Sequence, residues 1–247
     1  MSIFTKILKR AGDTSEVSVS KAIENHKRFR EDAESRQLEH FSRQFKEHAI
    51  KNALSGSSIP PIHQHCRFDN YEIYDNNQVN ALAFAKSYAE RIGKDSYQPS
   101  FIFSGTCGTG KNHLSAAICL SVINNGGMAK MITLNELHQQ FRSRCFGESP
   151  TMKETIFMEN LAKLDLLVID EVGLQSNSPA QKIFIDQVIN DRANKALPTG
   201  MITNLDFEGF TRSVSARVLD RMQAYGGAWI NFEWESYRTR KVNNNEH

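Results

Sequence analysis

Two stretches of this chain carry residue types suited to phosphate chemistry. The first is Phe101-Ile-Phe-Ser-Gly105-Thr-Cys-Gly108-Thr-Gly110-Lys111, an apolar run, a glycine-broken turn and then a lysine. Gly105 and Gly110-Lys111 stand at the spacing of a phosphate loop, G-x-x-x-x-G-K-[ST]. Glycines there let successive backbone N–H groups converge on an anion, and a helix starting near Lys111 aims its positive end at the same point. The Lys111 ammonium would reach the β and γ phosphates of a nucleotide. Asn112 stands where this pattern has a hydroxyl that coordinates Mg²⁺, and its amide oxygen is a hard ligand of a different kind.

The second stretch is Leu166-Leu-Val-Ile-Asp170-Glu171, four apolar residues followed by two carboxylates. A buried strand would deliver Asp170 to the sheet edge, where it holds Mg²⁺, and Glu171 would polarise an attacking water. A phosphate loop with such a strand downstream is the pattern of a P-loop ATPase. Asn204, ending Met201-Ile-Thr-Asn204, is placed either to orient the lytic water or to form a turn. Arg217 and Arg221 are four apart and share a helical face. They either pair with acids such as Asp220 or reach the γ-phosphate of a neighbouring subunit. Arg238 would contact nucleotide within its own chain.

The elements that must position these residues follow from periodicity. From Ser100 onward strand and helix alternate, the rhythm of a parallel sheet with crossovers. Strands are expected at Phe101–Ser104, Ala129–Thr133, Leu166–Asp170, Gly200–Asn204 and Ala228–Phe232. Helices are expected at Lys111–Ile123, Asn135–Arg144, Lys153–Leu164, Ala180–Lys195 and Phe210–Ala224, with an earlier one from Asn77 to about Ile92. The fold class is therefore α/β, a five-stranded parallel sheet with helices on both faces and ligands beyond the carboxyl ends of the strands.

Upstream, residues 20 to 54 contain neither glycine nor proline and intersperse both signs of charge. Phe29, Leu38, Phe41, Phe45 and Ala49 make a thin apolar stripe, fitting one or two helices that either meet a partner or pack on their own domain. Ser55-Gly-Ser-Ser-Ile-Pro-Pro61 reads as a linker. The organisation is thus a helical partner-binding segment (1–55), a linker (56–61) and an ATPase domain (62–247). His63, His65 and Cys66 have no second half with zinc-ligand spacing nearby and read as loop residues.

Composition sets limits. The 247 residues are 40% hydrophobic and 23% charged, with a formal charge of +2. That near-neutrality excludes a protein that binds nucleic acid through its overall charge, so any such contact is local. No apolar run reaches the length of a membrane span. The four cysteines show no paired C-x-x-C spacing, as suits reduced thiols in the cytoplasm.

Gly-Lys-Asn112, Leu-Leu-Val-Ile-Asp170-Glu171, Pro-Thr-Gly-Met-Ile-Thr-Asn204, Arg217-Val-Leu-Asp-Arg221-Met and Ser-Tyr-Arg238 together resemble the DnaC-type bacterial replicative helicase loaders. The likeness extends upstream through Ile-Pro-Pro-Ile-His-Gln-His-Cys-Arg-Phe-Asp-Asn-Tyr71, covering roughly residues 59 to 240, and is thin before residue 55. It implies an AAA+ ATPase of the initiator/loader clade, without room for a full helical lid. It further implies that ATP is contacted by Gly105, Thr106, Cys107, Gly108, Thr109, Gly110, Lys111, Asn112 and His113, with Phe68 and Tyr71 near the adenine. Mg²⁺ would be held by Asn112 and Asp170. Asn204 matches the first sensor, Arg221 the arginine finger with Arg217 beside it, and Arg238 the second sensor. The implied partners are a DnaB-type hexameric helicase, single-stranded DNA and further copies of the chain. Arg142, Arg144 and Lys153 are either phosphate contacts or ordinary surface charge. ATP hydrolysis, weak alone and stimulated by single-stranded DNA, is expected. A transposition helper ATPase acting with a transposase is the alternative, and a small-molecule kinase or an inert nucleotide-binding adaptor stand further off.

Overall fold

Phe101–Gly105 alternates its side chains across a sheet, and that alternation divides the interior into two layers. Phe101 and Phe103 enter one apolar cluster and Ile102 the other. The strand over Leu166–Asp170 does the same, with Leu166 and Val168 on the first side and Leu167 and Ile169 on the second. A strand buried on both faces needs continuous apolar sequence, which is what these runs supply. The computed structural model describes residues 24–29, 31, 42, 44, 47–94, 98–145, 149–173, 178–224 and 226–240. They belong to two units, Met1–Ala49 and Ile50–His247.

In the second unit the order is α1 (Asn76–Arg91), β1 (Phe101–Gly105), α2 (Lys111–Asn124), β2 (Ala129–Thr133), α3 (Leu134–Cys145) and α4 (Pro150–Ala162). Then follow β3 (Leu166–Asp170), α5 (Pro179–Asn194), β4 (Thr199–Thr203), α6 (Phe207–Ser213), α7 (Ala216–Gln223) and β5 (Ala228–Phe232). All pairings are parallel, in the order β2-β3-β4-β1-β5. The expected α/β class and five parallel strands are what the chain forms. β4 lies between β1 and β3, so the residue after β4 separates the loop after β1 from the carboxylates after β3. Register makes this level: Ser104 faces Thr203, and Ile169 faces Met201.

Helix ends follow local chemistry. Asp75 accepts from the Asn77 N–H, and Gln78 reaches back to the Asp75 N–H, closing a capping box at the start of α1. The single helix expected over Phe210–Ala224 is two. Val214 leaves helical geometry, and Ser215 restarts the helix by accepting from the Val218 N–H while its hydroxyl donates to Asp186. A serine with a donor three residues on is a start signal, and it overrides the continuous 3.6-residue pattern.

Residues 56–61, expected as a linker, are packed. Ser57 and Ile59 are buried, and the Ser57 carbonyl accepts from the Met131 N–H of edge strand β2 at 2.9 Å. The segment covers part of a sheet edge that would otherwise present unpaired groups. Arg192 is also fully buried. It donates to the carbonyls of Leu161, Leu164 and Pro198 and to the Thr199 hydroxyl, tying α4, α5 and β4 together. Burial lowers its pKa to about 10.

The described residues of the first unit are helical, with exposed pairs Arg28–Glu24 and Lys27–Glu31 four residues apart. Phe29 is exposed there, while Leu38, Phe41 and Phe45 of the expected stripe lie outside the described residues. Among the described residues, no helix is long and apolar enough to cross a membrane.

Candidate nucleotide-binding site

The loop between β1 and α2 turns through left-handed backbone at Gly108 (φ 81°) and Gly110 (φ 94°). Side chains could not replace either hydrogen. A Cβ on Gly110 would meet the Tyr71 ring at 2.7 Å, and one on Gly108 would overlap the Ser236 hydroxyl. The Lys111 ammonium donates to the carbonyls of Gly105 and Thr106, each at 2.6 Å. Two of its three N–H donors are so used, leaving one for a phosphate oxygen. Burial lowers the Lys111 pKa, opposed by the nearby Cys107 and Asp170.

At the end of β3, Asp170 accepts twice. Its Oδ1 takes the Glu171 N–H and its Oδ2 the Asn112 amide, both at 2.7 Å. Burial raises its pKa, opposed by those two hydrogen bonds and by the charges of Lys111 and His63. Glu171 has φ 59°, a left-handed conformation uncommon for a residue with a side chain. The following Val172 is tied to β4 on both sides: its N–H donates to the Ile202 carbonyl, and its carbonyl accepts the Thr203 hydroxyl. Asn204, just past β4, donates its amide to the Cys107 sulfur at 3.1 Å.

These groups border one cavity of about 640 Å³, within the size range of small-molecule sites. Cys107 to His113, Asp170, Glu171, Asn204, Tyr71 and Arg238 all line it. Gly105 and Thr106 do not line it, but their carbonyls hold the Lys111 ammonium at its mouth. Phe68, expected near the nucleotide, does not line the cavity and is half-buried against the core. Three residues on, Tyr71 lines the cavity. Arg217 and Arg221 also stand away from this cavity, on α7. Arg217 is exposed and donates to Asn190, whereas the buried Nε of Arg221 has no partner.

Sequence reasoning missed part of the wall. Ile62, His63, His65, Cys66 and Tyr74 line the cavity, with His113 bonded to the Arg67 carbonyl. Their signal was the X-Pro-Pro turn just before them, which brings the segment back over α2. Burial lowers the His63 pKa, with His113 adding to the effect. Among the described residues, no group of three or more His, Cys, Asp or Glu side chains could hold a metal. The Asn112 amide and Asp170 fit Mg²⁺, which takes few protein oxygens and completes its shell with phosphates and water.

The model of the IstB-like ATP binding proteins matches residues 20–245. The chain belongs to that family. Among similar proteins, the replicative helicase loader DnaC of Escherichia coli K12 is 40% identical over 191 residues, 77% of this chain and 76% of that one. The replicative helicase loader DnaC of Buchnera aphidicola subsp. Schizaphis graminum is 37% identical over 196 residues, covering 79% and 78%. Among solved structures, a DnaC helicase loader superposes with a TM-score of 0.60 at 18% identity, over 70% of this chain and 99% of that one. AMPPCP-bound DnaA from Aquifex aeolicus gives 0.60 at 20% identity, over 75% and 56%. The structural likenesses establish a shared fold, and the family match gives the chain its place among the IstB-like ATP binding proteins.

Proposed function

We propose that this protein is an ATP-dependent loader that delivers a DnaB-type hexameric replicative helicase onto single-stranded DNA. The observation that carries the reading is the meeting of Lys111, Asn112, Asp170, Glu171, Asn204 and Arg238 on one cavity. Similarity to the DnaC loaders supports the choice of cargo.

In this reading the loop amides and Lys111 bind the triphosphate, and Asn112 and Asp170 hold Mg²⁺. The ion, when bound, neutralises charge on the phosphate oxygens. Glu171 accepts a proton from the attacking water, and Asn204 holds that water in line. Arg238 contacts nucleotide from its own chain. Arg221, with Arg217 beside it, completes the site of an adjacent copy. ATP binding then favours assembly on helicase and single-stranded DNA, and hydrolysis releases the loader. The region 1–55 grips the helicase, and the unit that follows is the ATPase domain.

The test is transfer of helicase to single-stranded DNA by the wild type and by Lys111→Ala. Loss of transfer, together with loss of ATP binding, is expected. Undiminished transfer by the variant overturns the loader reading, and recovery of a transposase rather than a helicase with the protein favours a transposition helper.

A further inference from the structure

We infer that Trp234 is a positioning residue for nucleotide binding, acting through the backbone of the phosphate loop; this rests on the ATP-binding reading above. In a trans peptide the C=O and N–H point in opposite directions within one plane. Fixing a loop carbonyl outward therefore aims the next residue's N–H inward, toward a bound anion. Two groups just after β5 do this. The Trp234 indole N–H donates to the Thr109 carbonyl at 2.8 Å, and the Tyr237 amide donates to the Gly108 carbonyl at 3.0 Å. These bonds orient the Gly110 and Thr109 N–H groups.

The indole is itself held. Trp234 is 6% exposed and its ring lies 4.8 Å from that of Phe232, which pairs with Gly105 at the loop's first residue. Tyr71 supplies a second, longer donor to the Thr109 carbonyl at 3.4 Å, and burial raises its pKa, keeping the phenol protonated. The segment after Trp234 is anchored on the opposite wall: the Glu235 carbonyl accepts from Tyr74, the Tyr237 hydroxyl donates to Glu72, and the Arg240 guanidinium lies 4.5 Å over the Tyr74 ring. Arg238 sits between these anchors and lines the cavity. The loop and Arg238 are thus held by one strap, and Trp234 is its side-chain donor to the loop beside the Tyr237 amide.

Trp234 and Trp229 are the two tryptophans of the chain. Trp229 meets the Phe207 and Phe210 rings edge to face and does not line the nucleotide cavity, so it serves as the control. The experiment measures affinity for a fluorescent ATP analogue with Mg²⁺ in wild type, Trp234→Phe and Trp229→Phe, beside their melting temperatures and tryptophan emission. Phenylalanine keeps an aromatic ring against Phe232 and removes the donor, and the melting temperature reports the volume lost with it. Trp234→Phe is expected to weaken binding about tenfold, the effect of losing one buried hydrogen bond. Trp229→Phe is expected to bind as the wild type does, with the emission of its remaining Trp234 shifting on saturation with ATP. Should Trp234→Phe fail to fold, that emission shift still decides. Unchanged affinity in Trp234→Phe, with or without a lower melting temperature, overturns the inference, as does an emission indifferent to ATP. A wild type without ATP affinity overturns the ATP reading as well.

Discussion

The Asn112 amide nitrogen donates to Asp170 Oδ2 at 2.7 Å, joining the first turn of α2 to the end of β3. A serine or threonine at this position offers one hydroxyl to a metal. Asparagine offers a nitrogen that holds the carboxylate and an oxygen that remains for Mg²⁺. Replacing Asn112 with leucine keeps the branched shape and removes both. The Mg²⁺ concentration for half-maximal ATP hydrolysis should then rise about tenfold, the effect of about 1.4 kcal/mol. A Mg²⁺ titration of hydrolysis checks this, and affinity for metal-free ATP should stay close to wild type.

Arg192 predicts a stability effect remote from the chemistry. Its guanidinium satisfies the carbonyls of Leu161, Leu164 and Pro198 inside the fold. Arg192→Met keeps the apolar stem and strips all three of a donor. At about 1 kcal/mol or more for each, unfolding free energy should fall by about 3 kcal/mol or more, which lowers Tm by roughly 6–12 °C. Thermal melts measure the fall, and nucleotide affinity of the folded variant should be unchanged.

The phosphate loop, the acidic end of β3 and the alternation of strands were legible because each is a local pattern. Glycine spacing and apolar runs depend on neighbours in sequence, and the two-residue period of Phe101–Phe103 and Leu166–Ile169 requires both faces to be covered. What could not be read was decided by residues far apart. Nothing local to Trp234 or Tyr237 says that they meet Thr109 and Gly108. The packed Ser57 and Ile59 look like linker residues until β2 offers an unpaired edge amide. Phe68 and Tyr71 both looked able to face a base, and both pack in the same core cluster, but only Tyr71 also lines the cavity. The break at Ser215 was legible in principle, since a serine with a free amide three residues on competes with helix continuation.

His138 gives a pH dependence. Its ring is nearly covered on α3, 5.3 Å from that of Phe184, with Arg142 one turn along and Phe141 also against Phe184. Burial, then the Arg142 charge, lowers its pKa below the ordinary 6.5. The unfolded chain therefore takes up a proton at this residue before the folded chain does. Above the unfolded pKa the residue is neutral in both states and its contribution to stability is fully present. As pH falls through 6.5 toward the folded value that contribution is lost, and it levels off below. Urea melts of wild type and His138→Phe across this range should show the wild type losing stability relative to the variant as the solution is acidified.

Glu171 and Arg221 together test whether the site is completed by a second copy. Glu171 lines the cavity, whereas Arg221 stands on α7 outside it. Glu171→Gln should bind ATP normally and hydrolyse it at least about a hundredfold more slowly, the usual effect of losing a general base. Arg221→Ala should also bind and fail to hydrolyse, by losing charge stabilisation worth about a thousandfold or more in related sites. Mixing the two inactive proteins separates trans from cis. An Arg221→Ala subunit retains its own Glu171, and a Glu171→Gln neighbour supplies the missing arginine. If the arginine acts in trans, hydrolysis returns in the mixture, rising with protein concentration and peaking near equal amounts. If Arg221 serves its own chain's nucleotide, every site in the mixture lacks one group and the mixture stays inactive.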